Sequence, residues 1–156
     1  MSDEPEIHPC SIRSLVNGFL EKHHYLGRVA GWKVCGVLWS DHFTWDGLVV
    51  VSRPVARMVD KDTVEVTRLC LRRGAPKNSG SRLLGWATRW AVKNGYRRVI
   101  TYADPSQGHT GVIYRAANFR ADGTTSAKAG GWGNGGKRVR RRPSEGPKLR
   151  FVWEKP

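Results

Sequence analysis

Residues 72–94 read RRGAPKNSGSRLLGWATRWAVKN, and this stretch decides the fold. From Ser79 onward, Leu83, Leu84, Ala87, Trp90 and Ala91 recur three or four positions apart, the spacing that gathers apolar side chains on one face of an α-helix. Asn94 and Gly95 supply its stop. The start of this helix is unusual. A helix N-terminus carries spare backbone N–H groups and the positive end of the helix dipole, so first turns normally attract Asp or Glu. This one holds Arg82, preceded by Arg72, Arg73 and Lys77, and the chain has no carboxylate between Glu65 and Asp104. Cations gathered at the cationic end of a helix make sense if an external anion joins them. Asn78, Ser79, Gly80 and Ser81 are small enough for their backbone N–H groups to close on a phosphate. The stretch therefore reads as a diphosphate-binding turn; the alternative is a basic helix start that only faces water.

Immediately before it, residues 63–71 (TVEVTRLCL) form the best strand in the chain, with β-branched residues alternating with Glu65, Thr67 and Leu69. Farther upstream, residues 34–39 and 47–51 read as strands joined by a turn over 41–46, and Arg53-Pro54 breaks the pattern. Ser11 stands as the cap of an earlier helix whose apolar face is Ile12, Leu15, Val16, Phe19 and Leu20, ending near residues 23–27, HHYLG. Downstream lie a short buried strand at 98–103 (RVITYA), a helix at 109–118 running up to Phe119, and a closing strand at 149–153 (LRFVW). Helices falling between strands argue for an α/β fold with a mixed central sheet flanked by helices. A chain of 156 residues suits a single domain that buries roughly two-thirds of its unfolded surface.

Lys and Arg number 27 against 13 Asp and Glu, a net charge of +14. That excess goes far beyond the needs of solubility and points to a polyanionic partner, nucleic acid before an anionic membrane. Much of it lies in residues 123–148. There glycines surround Trp132, and Lys137, Arg138, Arg140, Arg141 and Arg142 put five cations into the six residues KRVRRR. Such a segment cannot form a core of its own and is expected to be a mobile basic loop within the domain. No apolar run approaches the ~20 residues of a membrane span, and the acidic opening MSDEPEIHPC is unlike a secretion signal. A cytoplasmic location with no membrane partner is expected. Cys10, Cys35 and Cys70 are odd in number, widely spaced and free of a Cys-x-x-Cys pair, so they read as buried free thiols. His23, His24, His42 and Asp104 match no recognised ligand spacing, and no metal is assigned.

The order of these elements resembles the GNAT N-acetyltransferase fold, in which the turn after the fourth strand binds the diphosphate of acetyl-CoA. More narrowly, five blocks resemble those of the Mom-type DNA modification proteins. They are His24-Tyr25-Leu26-Gly27; Pro54-Val55-Ala56-Arg57; Glu65-Val66-Thr67-Arg68-Leu69; Pro76-Lys77-Asn78-Ser79-Gly80-Ser81-Arg82; and Tyr102-Ala103-Asp104 followed by Gly111-Val112-Ile113-Tyr114-Arg115-Ala116-Ala117-Asn118-Phe119. That family converts adenine in bacteriophage DNA to N6-carbamoylmethyladenine, which shields the DNA from host restriction. The resemblance implies an acyltransferase-like enzyme that uses acetyl-CoA or a related thioester. Leu69, Cys70, Leu71, Arg72, Lys77, Asn78, Ser79, Gly80, Ser81, Arg82 and Asn118 would hold that cofactor. It also implies double-stranded DNA as partner, with the adenine flipped or exposed, and Arg57, Trp132 and the five cations of the loop lying against it.

Transfer from a thioester to an amine needs a base for the amine, polarisation of the carbonyl and an acid for the leaving thiolate. The resemblance puts Tyr114 where a tyrosine protonates the thiolate; on its own it reads equally as a buried tyrosine. Glu65, the one carboxylate on the strong strand, is the candidate base, or else an ion-pair partner of Arg68, which joins the candidate set. His24 and Tyr25 fall on the substrate side, and Asp104 either orders a turn or orients the amine. Because the adenine amine lies inside the duplex, the base must flip or be taken from single strands. Tyr25, Trp32, Trp39, Trp45 and Trp132 are candidates to stack on it, while Trp86 and Trp90 read as core. Two other functions fit the same chain: an ordinary GNAT N-acetyltransferase acting on a protein or small-molecule amine, and a non-catalytic nucleic-acid-binding protein.

Overall fold

The structure, a computed structural model, describes residues 6–40, 44–55, 60–105, 110–125 and 147–156. In chain order the elements are β1 (Ile7–Pro9), α1 (Arg13–His23), β2 (Val34–Trp39), β3 (Trp45–Ser52), β4 (Thr63–Leu71), α2 (Ser79–Lys93), β5 (Arg98–Ala103), α3 (Val112–Ala116), β6 (Arg120–Thr124) and β7 (Leu149–Glu154). The strands make one seven-stranded sheet in the order β1-β2-β3-β4-β5-β7-β6. Every adjacent pair is antiparallel except β4 and β5. A parallel pair cannot be joined by a hairpin, and α2 is the crossover that joins this one. Among the described residues no helix is long and apolar enough to cross a membrane.

The helix read from residues 72–94 packs as its spacing demands. Leu83, Leu84, Ala87 and Ala91 are fully buried against Val49, Val51, Val64, Val66 and Val99 of the sheet. Each leucine so buried contributes about 1.5–3 kcal/mol, more than an isolated helix of this length gains from propensity. Gly36 leaves room for the Trp86 ring on β2, since a Cβ there would lie 2.6 Å from two ring carbons. Trp86 and Trp90 are partly buried on the edge of this core. Asn94 closes α2 by donating its side-chain amide to the Trp90 carbonyl at 2.8 Å, and Gly95 follows in the left-handed region at φ 86. The opposite face is covered by α1, whose Val16 and Leu20 meet Cys35, Val37, Leu48, Val50 and Cys70.

Several local expectations are corrected. The first turn of α1 closes on the carbonyl of Ile12, which accepts from the Leu15 and Val16 N–H groups. Ile12, not Ser11, is therefore the N-cap, and no side chain caps the helix. The short edge strands β1 and β6 carry too little apolar alternation to be read from sequence; their pairing with β2 and β7 creates them. The expected helix at 109–118 shrinks to the five residues of α3, because the left-handed Gly111 (φ 85) and Asn118 (φ 67) bound it. A Cβ on Gly111 would run into the Phe151 ring, so both its φ and its close approach require glycine. Among the cysteines, Cys35 and Cys70 are buried free thiols and Cys10 is partly exposed.

Candidate active site

The parallel pairing of β4 with β5 runs only from Thr63 and Arg98 to Val66 and Thr101. Beyond that point β4 continues to Leu71 and β5 to Ala103 without touching, and a cavity of about 780 Å³ opens between them. The Thr101 hydroxyl donates to the Val66 carbonyl at 3.2 Å and closes the apex of this fork. Past the apex, β4 has no strand partner on the side that faces β5, and the Thr67 carbonyl is taken by Arg68.

A second irregularity decides which side chains meet there. On a regular strand, residues three apart point to opposite faces. In β4, however, Arg68 pairs with Val50 while Val66 pairs with Val51, so Thr67 is the extra residue of a bulge. Before the bulge Val64 and Val66 pack beneath α2; after it Cys70 packs beneath α1. Glu65 and Arg68 therefore share the α1 side of the cavity. Arg68 spends its fork on carbonyls: Nε donates to Gly27 O at 3.1 Å, one terminal nitrogen to Thr67 O at 2.8 Å and the other to Arg28 O at 3.0 Å. It thereby fastens the turn after α1 to β4, which makes it a positioning residue.

Glu65 is 6 % exposed and accepts the Val55 N–H at 3.3 Å. Burial pushes its carboxyl above the ordinary carboxylate range, against the opposing pull of that N–H and of Lys148 and Arg68. Folded-state protonation is then favoured over unfolded, so this group costs stability as pH rises from below the ordinary carboxylate pKa through the raised one. Glu65→Gln, which keeps the acceptor for Val55, is expected to raise the melting temperature at neutral pH. The gain should shrink as pH falls through the raised carboxyl's range and vanish below about 4, where the carboxyl is protonated in both states; an equal gain at all pH values in calorimetry would refute the desolvation argument.

Three further groups converge on the same wall. Burial first, then Asp104 and Tyr114, pushes the Tyr25 hydroxyl up to about 12, while Arg68 opposes. Asp104, Tyr114 and Arg68 are thus within electrostatic reach of Tyr25, and Asp104, 1 % exposed, lies behind the cavity wall rather than on it. The His24 ring stacks on Tyr25 with centroids 4.9 Å apart, and its Nδ1 accepts the Leu26 N–H at 3.1 Å, which leaves the ring hydrogen on Nε2. At the apex, the Tyr114 ring packs on Phe151 at 5.2 Å and its hydroxyl is bonded to Thr101. The bond to Thr101 opposes the effect of burial on this phenol. Burial raises the Tyr114 pKa, so the phenol keeps its proton at neutral pH.

On the other side of the cavity lie Leu69, Cys70 and Leu71 of β4 and Val112 and Ile113 of α3. The basic turn sits just beyond this lip, since a Cβ on Gly80 would meet the side chains of Ile113 and Leu71. The start of α2 is uncapped: Asn78 is left-handed at φ 70, no side chain bonds to its N–H groups and its first turn has no acid. The Ser79 and Ser81 hydroxyls turn instead to the carbonyls of Pro76 (2.6 Å) and Asn78 (3.1 Å). Among the described residues the Gly80 and Ser81 N–H groups find no acceptor. Lys77 is exposed and Arg82 half-buried at this turn. Arg72 is committed elsewhere, its Nε donating to the fully buried Asp46 at 2.8 Å.

Some expected residues stand apart. Asn118 ends α3 outside the cavity wall, and its left-handed backbone explains its presence there. Trp32, Trp39 and Trp45 pack on the α1 core, with Trp39 and Trp45 edge to face at 5.8 Å, and do not reach the cavity. Arg57, Trp132, Lys137, Arg138, Arg140, Arg141, Arg142, His42 and His109 lie outside the described residues. Sequence reasoning missed Thr101, Tyr102, Thr125 and Lys148, all on the wall. Tyr102, raised by burial and by Glu65, is hydrogen-bonded to Arg150. Lys148 N–H donates to Thr125 Oγ1 at 2.9 Å and Thr125 N–H to Lys148 O at 2.8 Å. Both ends of the segment 126–146 are thereby tied at the cavity. Among the described residues no group of three or more His, Cys, Asp or Glu side chains is arranged to hold a metal ion.

Comparison with solved structures places this architecture. A Bacillus subtilis acetyltransferase in complex with CoA superposes with a TM-score of 0.70 at 15 % identity, covering 98 % of this chain and all of that one. A GNAT family acetyltransferase from Elizabethkingia anophelis with acetyl-CoA bound gives 0.63 at 14 % identity, over 99 % and 100 % of the two chains. The ribosomal-protein-S18-alanine N-acetyltransferase from Escherichia coli gives 0.67 at 10 % identity, over 96 % and 93 %. At such identities the likeness fixes the fold, which is that of the GNAT acetyltransferases. A search of curated proteins finds no match. Residues 12–139 match the model of the Mom protein family.

Proposed function

Because this chain belongs to the Mom protein family, we propose that it modifies the exocyclic amine of adenine in phage DNA and so protects the DNA from restriction; the product, N6-carbamoylmethyladenine, carries a methylene on N6 and an amide nitrogen that a coenzyme A thioester alone does not supply, so a nitrogen-bearing co-substrate takes part beside the thioester. The observation that carries the reading is the forked cavity. One side has β4 without a strand partner and an uncapped, cation-flanked helix start; the other has Glu65, Arg68, Tyr25 and Tyr114 gathered on one wall. The residues fit the cofactor. The N–H groups of Gly80 and Ser81, with Lys77, Arg82 and the small residues Asn78 and Ser79, suit a diphosphate, and residues 67–71 suit an extended amide-bearing arm. Bound there, a thioester supplies a carbon open to attack and a thiolate leaving group.

The chain's own residues divide the remaining work. Glu65, beside the apex and with its carboxyl made more basic by burial, takes a proton from the amine directly or through a water. Tyr114 holds at its hydroxyl the proton a departing thiolate needs. Tyr25, stacked on His24, offers an aromatic face to an extruded base, and Asp104, within electrostatic reach of Tyr25, positions it from behind the wall. The ties of Thr125 to Lys148 support a role for the basic segment between them, since its ends start at the cavity. Work on DNA would place the protein in the host cytoplasm.

Mass spectrometry of nucleosides from cells expressing the protein tests the reading. A carbamoylmethyl group is heavier than an acetyl group by one NH, so the two products separate. Unmodified deoxyadenosine alongside an acetylated protein or metabolite would instead identify an ordinary N-acetyltransferase. For the cofactor, Ser79→Asp combined with Arg82→Glu places two negative charges at the helix start and is expected to weaken acetyl-CoA at least tenfold in calorimetry, given the ~0.3–1 kcal/mol for each such charge at a helix end plus the lost cation. Affinity within twofold of wild type would move the diphosphate elsewhere.

A further inference from the structure

Seven large hydrophobic side chains are exposed among the described residues, and five of them, Tyr25, Leu26, Val55, Val112 and Ile113, surround the cavity. Val112 and Ile113 lie on α3 beside the start of α2. Leu26, 39 % exposed, and Val55, 79 % exposed, lie on the Glu65 side. A lone exposed leucine on a loop needs no explanation, but this one sits on a turn that cannot yield. The Leu26 N–H is held by His24 Nδ1 at 3.1 Å and the Gly27 N–H by His24 O at 3.0 Å. The Gly27 and Arg28 carbonyls are held by Arg68. The Val29 N–H is held by Asn17 Oδ1 at 2.9 Å, from a side chain that is itself 4 % exposed. Gly27, at φ 64, makes the reversal possible. Five backbone groups in four residues are thus fixed by α1 and β4, and an apolar tip is presented to solvent at the mouth of the cavity.

Resting on the adenine reading, we propose that Leu26 is the wedge that enters the base stack of duplex DNA and fills the gap left by the extruded adenine. Wedge insertion needs a rigid mount, an apolar tip of base-step size and anchoring cations beside it. The pinned turn is the mount. Arg28, two residues on and 66 % exposed, supplies a cation whose ion pair with Glu21 is a surface one at 3.4 Å, and Arg53 is exposed two residues before Val55. Tyr25 is not the wedge, because its ring is stacked on His24 with centroids 4.9 Å apart and its hydroxyl is within electrostatic reach of Asp104 and Tyr114. The division is therefore Tyr25 for the base that leaves and Leu26 for the space it vacates.

Permanganate oxidises thymines that are unstacked, so it marks the partner of an extruded adenine on a plasmid of any sequence. With purified protein and acetyl-CoA, wild type is expected to create such thymines. At protein concentrations giving equal DNA occupancy, Leu26→Ala should lower their reactivity about tenfold, the scale of losing part of the few kcal/mol that unstacking a step costs, while Leu26→Met stays within about twofold. Wild-type reactivity in Leu26→Ala, or wild type that occupies DNA and modifies adenine without marking any thymine, overturns the wedge and leaves the adenine reading standing. Absence of both DNA binding and modified adenine overturns the two together.

Discussion

Replacing Tyr114 by phenylalanine is expected to lower turnover by about 10² to 10⁴ while leaving thioester affinity nearly intact, the range for losing a positioned general acid. The change removes one oxygen from a ring held by Phe151 at 5.2 Å and Phe119 at 6.3 Å, so the packing that shapes the cavity survives. What disappears is the proton at the apex of the fork. That proton is retained at neutral pH because burial raises the phenol's pKa, and the hydroxyl is held at the apex beside Thr101. Such a loss corresponds to about 3–5 kcal/mol of transition-state stabilisation. Single-turnover kinetics with acetyl-CoA and calorimetry of the same variant separate chemistry from binding. An unchanged rate would return Tyr114 to the core.

Alanine at Lys137, Arg138, Arg140, Arg141 and Arg142 together is expected to weaken binding to every duplex sequence alike and to reduce the slope of log K against log salt by up to about 4–5 units, since each phosphate-neutralising cation contributes about 0.9. Contacts to phosphate position a protein without reading bases, so affinity should fall with little change in sequence choice. The effect is large because the segment is tied at Thr125 and Lys148, whose mutual bonds of 2.8 and 2.9 Å start it from the cavity wall. A salt titration of wild type and the fivefold variant on one duplex measures both slopes. Superimposable lines would reduce the five cations to a solvated charge run.

Sequence by itself determined the elements whose information is local. The apolar period of residues 79–91, the acid-free start of α2, the β-branched run of β4 and the order of strands and helices all follow from neighbours along the chain. With them came the family and the fold. Tyr114 and Glu65 were also legible, one by its place in a motif and the other as the lone carboxylate of its strand.

Only the tertiary structure decided which of these residues meet. The bulge at Thr67 exists in the pairing of β4 with β3, and it alone turns Glu65 and Arg68 to one side. The fork depends on where the pairing of β4 with β5 stops, a property of two strands separated by α2. The same holds for Lys148 and Thr125, which local sequence marks in no way, and for the edge strands β1 and β6. It holds too for Arg72, whose charge reads as ligand-directed until the buried Asp46 is seen 2.8 Å away. Trp39 and Trp45 looked available for stacking because aromatic residues carry no label for face; packing against α1 assigns them to the core. Periodicity fixes which face of an element is apolar, but a site is made by contacts between elements, and those are settled when the sheet closes.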